Sequence, residues 1–84
     1  MAYQIILAPG AEKELDSAPL QVQRKVVAIF DTLKEKPYIG KKLKGEYEGM
    51  YSVRAWPYRV VYRVFEKKLV VNIVRVRHRK DVYR

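Results

Sequence analysis

The 84-residue chain contains no cysteine and a single histidine, His78. These two shortages exclude disulfides, thiolate metal sites and cysteine nucleophiles, and one imidazole cannot by itself complete a transition-metal site, so no bound metal is expected. The cytoplasm is the expected compartment. Long apolar runs are missing too. Near the N-terminus only residues 5–8 form one, ended by Pro9-Gly10. That is well short of the ~20 residues of a membrane span or the core of a signal peptide, and no membrane association is expected. Acidic side chains also thin out along the chain. Residues 50–84 hold seven Arg and three Lys against Glu66 and Asp81, which puts +8 of the net +9 in this part, whereas residues 1–49 carry eight basic and seven acidic side chains. Such an excess points to a polyanionic partner, whether nucleic acid, an acidic protein or anionic lipid. Lipid fits least, because the basic residues fall in strand-like segments rather than along one face of an amphipathic helix.

No repeat, low-complexity tract or linker divides the sequence, which reads as one domain, residues 1–84, with a modest core. At roughly 0.05 to 0.15 kcal/mol per residue the fold is worth on the order of 4 to 12 kcal/mol, so most arginines must face water or a partner rather than lie buried and unpaired. Residues 3–7 read as a strand ended by Pro9-Gly10, and residues 11–16 as a short helix. Pro19 suits the first turn of a second helix, where its fixed φ and missing N–H cost nothing. In that segment Val22, Val26, Ile29, Phe30 and Leu33 recur at helical spacing, with Arg24, Lys25, Asp31, Lys34 and Glu35 on the other side, up to a stop before Pro37. Residues 37–49 are polar, carry Gly40, Gly45 and Gly49, and are expected to be flexible.

Residues 50–55, 58–65 and 69–76 are rich in Val, Tyr and Ile. Connections as short as Trp56-Pro57 and Glu66-Lys67-Lys68 can join only antiparallel neighbours. The expected fold is α+β: an N-terminal strand, a helical hairpin, then a three-stranded antiparallel meander, with the helices packed on one face of a twisted, antiparallel four-stranded sheet. The opposite face is then available for function. Strand alternation puts Ser52 and Arg54 on one side of their strand. It gathers Arg75, Arg77 and Arg79 on one side of theirs, behind Val71 and Ile73, with His78 pointing the other way alongside Val74 and Val76. Arg59 follows a turn and neighbours Arg54 across the hairpin.

Three segments carry a family resemblance: Gly49-Met50-Tyr51-Ser52-Val53-Arg54, Tyr58-Arg59-Val60-Val61-Tyr62 and Val76-Arg77-His78-Arg79-Lys80-Asp81-Val82-Tyr83. With the order of elements, they resemble the RelE/ParE superfamily of bacterial and archaeal toxins over nearly the whole chain. The resemblance implies a toxin of a type II toxin–antitoxin system whose partner is a cognate, acidic antitoxin covering the cationic face or the helical hairpin. Its RelE branch implies an endoribonuclease that needs no metal or organic cofactor and cuts messenger RNA codons in the ribosomal A site, so that ribosome and mRNA are partners as well. Its ParE branch implies inhibition of DNA gyrase without chemistry. By resemblance, the nuclease's basic strand residue falls at Arg54, its phosphate-clamping arginine at Arg59, its C-terminal arginine at Arg79 and its tyrosine at Tyr83. Ser52 stands where the nuclease commonly has a second lysine. Ser52, Arg75, Arg77, His78 and Lys80 are the expected RNA contacts. The chain ends one residue after Tyr83, so the C-terminal helix of some relatives is not expected.

RNA is cut without metal when its own 2′-hydroxyl attacks the adjacent phosphate, leaving a 2′,3′-cyclic phosphate and a 5′-hydroxyl. Preorganised guanidinium groups suit the charge that develops on phosphorus, which assigns this task to Arg54 and Arg59. Arginine, with a pKa above ~12, cannot be the base. Tyr83 either takes the 2′-hydroxyl proton, its phenolate favoured by nearby cations, or stacks on a base. Arg79 belongs near the leaving 5′-oxygen. His78 reads either as structural or as a general acid. Trp56 reads as a turn residue that packs at the sheet edge or contacts RNA. Tyr51, Val60 and Tyr62 read as core, and Glu46 and Glu48 as solvated loop carboxylates rather than a base.

Overall fold

A computed structural model describes the backbone of residues 2–82 and the side chains of residues 2–80. The elements run β1 (Gln4–Leu7), α1 (Pro9–Ser17), α2 (Leu20–Glu35), β2 (Lys41–Lys42), β3 (Tyr51–Ala55), β4 (Tyr58–Phe65), β5 (Val70–His78) and a single turn of helix, α3 (Arg79–Val82). Pro9 does not merely end the first strand: it stands in the first turn of α1, where proline has no N–H to lose, so this helix is longer at both ends than residues 11–16. Pro19 caps α2, which stops at Glu35 as expected.

The class is α+β, but the sheet has five strands, not four, in the order β1-β5-β4-β3-β2, and it is mixed. β3, β4 and β5 form the expected antiparallel meander. β1 pairs in parallel with β5 and β2 antiparallel with β3. The sheet is thus not antiparallel throughout as expected, because strand order is carried by the crossover of the helical hairpin, which returns β1 alongside β5 in the same direction, and not by residue alternation. β2 escapes notice because its two residues are both lysines with no β-prone neighbours. Segment 37–49, expected to be flexible, is tied down at several points. Leu43 N–H donates to Met50 O at 2.9 Å, and Gly40 N–H donates to the Tyr62 hydroxyl at 3.0 Å. A Cβ on Gly40 would sit 2.5 Å from that hydroxyl and 2.9 Å from Ser52 O, so only glycine allows this approach.

Helix-facing residues form one core. Ala11 and Ala18, together with Val22, Val26, Phe30 and Leu33 of α2, pack on Ala55, Val60, Tyr62, Val71, Ile73 and Val76 of the sheet. In β5 the alternation is broken once. Val61 faces Arg75 while the next residue, Tyr62, faces Ile73, so Val74 is a bulge without a cross-strand partner. One extra residue resets the faces. Val71 and Ile73 therefore lie buried beneath the helices with Val76, and not on the side of the arginines as simple alternation predicts. Arg75 and Arg77 turn to the opposite face.

Candidate functional site

Cross-strand partners share a face, so register alone builds the site. Arg54 of β3 pairs with Arg59 of β4, and Arg59 with Arg77 of β5. Three guanidinium side chains thus start from one row across three adjacent strands, on the side away from the helices. The next row is Ser52, Val61 and Arg75. Ser52 is buried, and its hydroxyl accepts from Arg59 Nη1 at 3.3 Å. It therefore sits beneath Arg59 and orients it, which a lysine at this position would not do in the same way. Val61 is fully buried despite facing the polar side, consistent with long arginine stems covering apolar surface while their charged heads stay wet.

Like charges side by side on a sheet repel, and α1 supplies one counterweight that sequence reasoning missed. Glu14 accepts from Arg77 Nε at 2.8 Å and from Val76 N–H at 3.0 Å, and its carboxylate lies 3.7 Å from Arg75 Nη1. β1 stops at Leu7, paired with Ile73, so β5 beyond that point would present a bare edge; Glu14 satisfies it at Val76. The contacts span 62 and 63 residues of chain, and nothing local in the sequence marks Glu14 for them.

The turn between β3 and β4 forms one rim. Trp56 is 49% exposed, with the Arg79 and Arg54 guanidinium carbons 4.9 Å and 5.8 Å from its ring centroid. Arg79 does not continue β5 beside Arg77, as strand alternation predicts, but opens α3: its N–H donates to Pro57 O at 2.8 Å. His78 lies on the other side of the strand from Arg77, edge-on to Tyr58 at 5.4 Å, and its Nδ1 accepts from the N–H of Lys80, an exposed residue, at 3.3 Å. A cavity of about 560 Å³ brings Glu14, Glu46, Tyr47, Tyr58, Arg77 and His78 together. Glu46 and Glu48 are both exposed as expected, but Glu46 also lines this cavity. Tyr83 lies outside the described residues. Among the described residues no group of His, Asp or Glu side chains is arranged to hold a metal ion.

A small α+β chain with a cationic sheet face opposite a helical hairpin has well-defined relatives. The sequence profile of the family described as ParE toxin of type II toxin-antitoxin system matches residues 5–83, and the chain belongs to this family, within the RelE/ParE superfamily. It is 35% identical to toxin RelG of Mycobacterium tuberculosis over all of this chain and 99% of the relative. It is 30% identical to toxin RelE of the same organism over 98% of this chain and 87% of that one. The fold is similar to the M. tuberculosis toxin–antitoxin complex RelBE2, with a TM-score of 0.84 at 30% identity, covering 93% of this chain and 99% of that one. A mutant of E. coli toxin RelE in the free state gives 0.83 at 28% identity, covering 98% and 88%. An archaeal RelE–RelB complex from Pyrococcus horikoshii gives 0.79 at 28% identity, covering 98% and 100%.

Proposed function

We propose that this toxin is a ribosome-dependent endoribonuclease that cuts messenger RNA in the A site, and that a cognate antitoxin holds it inactive. The observation that carries the reading is the single row Arg54, Arg59 and Arg77 on the open face. Three cations placed side by side gain most from a bound polyanion, and their planar donors match phosphate oxygens bidentately. The 2′-oxygen attacks phosphorus while the bond to the 5′-oxygen breaks, leaving the cyclic phosphate and a free hydroxyl. Arg54 and Arg59 stabilise the charge on the phosphoryl oxygens, and Ser52 holds Arg59 in place for it. Arg79 offsets charge on the leaving 5′-oxygen, which takes its proton from solvent water to become the hydroxyl. Tyr83, by the family resemblance, handles the proton of the 2′-hydroxyl. Relatives solved as complexes with antitoxins support an antitoxin partner here.

A second reading has its own support: the matching family profile carries the ParE name, and the ParE branch inhibits gyrase. In that reading the same row contacts a protein or DNA partner and performs no chemistry. The two are separated by running the purified protein in a translation reaction with 5′-end mapping and, in parallel, in a gyrase supercoiling assay. A-site cuts with gyrase unaffected are expected. Gyrase inhibition without cuts would transfer the assignment to the second reading.

A further inference from the structure

We propose that Trp56 is a positioning residue that gathers Arg79 and Arg54 to the phosphate-binding row, an inference that rests on the endoribonuclease reading. Strand register fixes the start of the Arg54 and Arg59 side chains, but Arg79 lies beyond the end of β5, in α3, where no ladder holds it. Trp56 is the chain's sole tryptophan and half its surface is exposed. It sits in a two-residue turn whose two carbonyls are both occupied. Lys25 Nζ of α2 donates to Trp56 O at 3.2 Å, and Arg79 N–H donates to Pro57 O at 2.8 Å. The turn is therefore tied to the helical layer on one side and to the start of α3 on the other.

A ring anchored in this way presents its electron-rich face to two guanidinium groups, at 4.9 Å and 5.8 Å. Each such contact at an exposed site shifts an equilibrium by about two- to fivefold. Together they offset the repulsion between the two cations and restrict side chains that would otherwise sample many rotamers. The ring itself need not touch the reacting phosphate.

The test is a double-mutant cycle on the full chain with ribosomes and a defined message, read alongside the emission of Trp56 in the toxin alone. Trp56→Leu is expected to lower kcat roughly tenfold with little change in KM, because Arg79 acts on charge that appears only in the transition state. Trp56→Phe should keep most of the rate. Added to Arg79→Ala, Trp56→Leu should cost clearly less than its roughly tenfold effect in the wild type, because only its contact with Arg54 remains to be lost. Arg79→Ala should change the emission of Trp56 without any substrate. Full additivity, a Trp56→Leu rate equal to wild type, or unchanged emission in Arg79→Ala would each overturn the proposal. A wild-type protein that cuts no message refutes the nuclease reading instead, while the emission result still decides whether Trp56 holds Arg79.

Discussion

Tyr62 shows how one side chain ties a polar loop to the core. It is the largest fully buried residue of the sheet, stacked on Tyr51 at 5.6 Å between ring centroids, and it still carries a hydroxyl that must be satisfied. Gly40 N–H supplies the partner. Burial raises the Tyr62 pKa above its ordinary value of 10.0, and the hydrogen bond from Gly40 opposes part of that rise. A group whose folded pKa is raised contributes stability that is fully present below its unfolded pKa and is lost as pH rises through the folded value. Tyr62→Phe should therefore cost about 0.5 to 1.5 kcal/mol near neutral pH, where the hydrogen bond is lost. The gap in thermal midpoint between wild type and variant should narrow above about pH 10 as only the wild type is penalised. A gap that stays constant through that range would show that the Tyr62 hydroxyl is not the titrating group.

Among the elements, the meander β3-β4-β5 and the helix α2 are plain in the sequence, because Val, Ile and Tyr runs with short connections admit little else and because Val22, Val26, Phe30 and Leu33 trace one helical stripe. The bulge at Val74 is not legible: no glycine or proline marks it, and the residues on both sides continue to alternate. It nonetheless decides the site, since without it Arg75 and Arg77 would point into the core. The adjacency of Arg54 and Arg59 was legible from the two-residue turn, whereas the arrival of Arg77 beside Arg59 needed the register of β5. Glu14 was invisible for a related reason, because α1 meets β5 only through the crossover. Its carboxylate, 24% exposed, serves a backbone donor and a guanidinium by hydrogen bonds and a second guanidinium by a longer ion pair. Replacement by alanine should lower stability by about 1 to 2 kcal/mol, above an exposed ion pair because charge-assisted bonds are lost, yet below a buried one because solvent screens the site. Urea midpoints of wild type and Glu14→Ala give the difference directly. An unchanged midpoint would mean that water replaces Glu14 at the β5 edge without cost.

On the scale of the whole molecule, charge and hydrophobicity are sorted to opposite faces of one sheet. The helices cover the apolar side, and the net charge of +9 falls mostly on the strands that carry the row of arginines. Among the described residues no helix is long and apolar enough to cross a membrane. An RNA partner of the proposed kind would meet this face mainly by its phosphates. Single-strand phosphate contacts reduce log affinity by roughly 0.7 per contact for each tenfold rise in salt, so three engaged arginines predict a slope of about −2 for ribosome or mRNA binding. Binding by sedimentation at several salt concentrations measures it, and a slope near zero would remove the electrostatic basis of the interface.

In the function proposed above, the arginine row performs phosphoryl chemistry on translated message. The most direct test is 5′-end mapping of a defined mRNA after incubation with ribosomes and either wild-type protein or Arg59→Ala. Cuts confined to the A-site codon, bearing 5′-hydroxyl ends and reduced in rate by roughly 10² to 10³-fold in the variant, are the predicted result. Cuts at equal rate with Arg59→Ala, or no cuts from the wild-type protein, would contradict it.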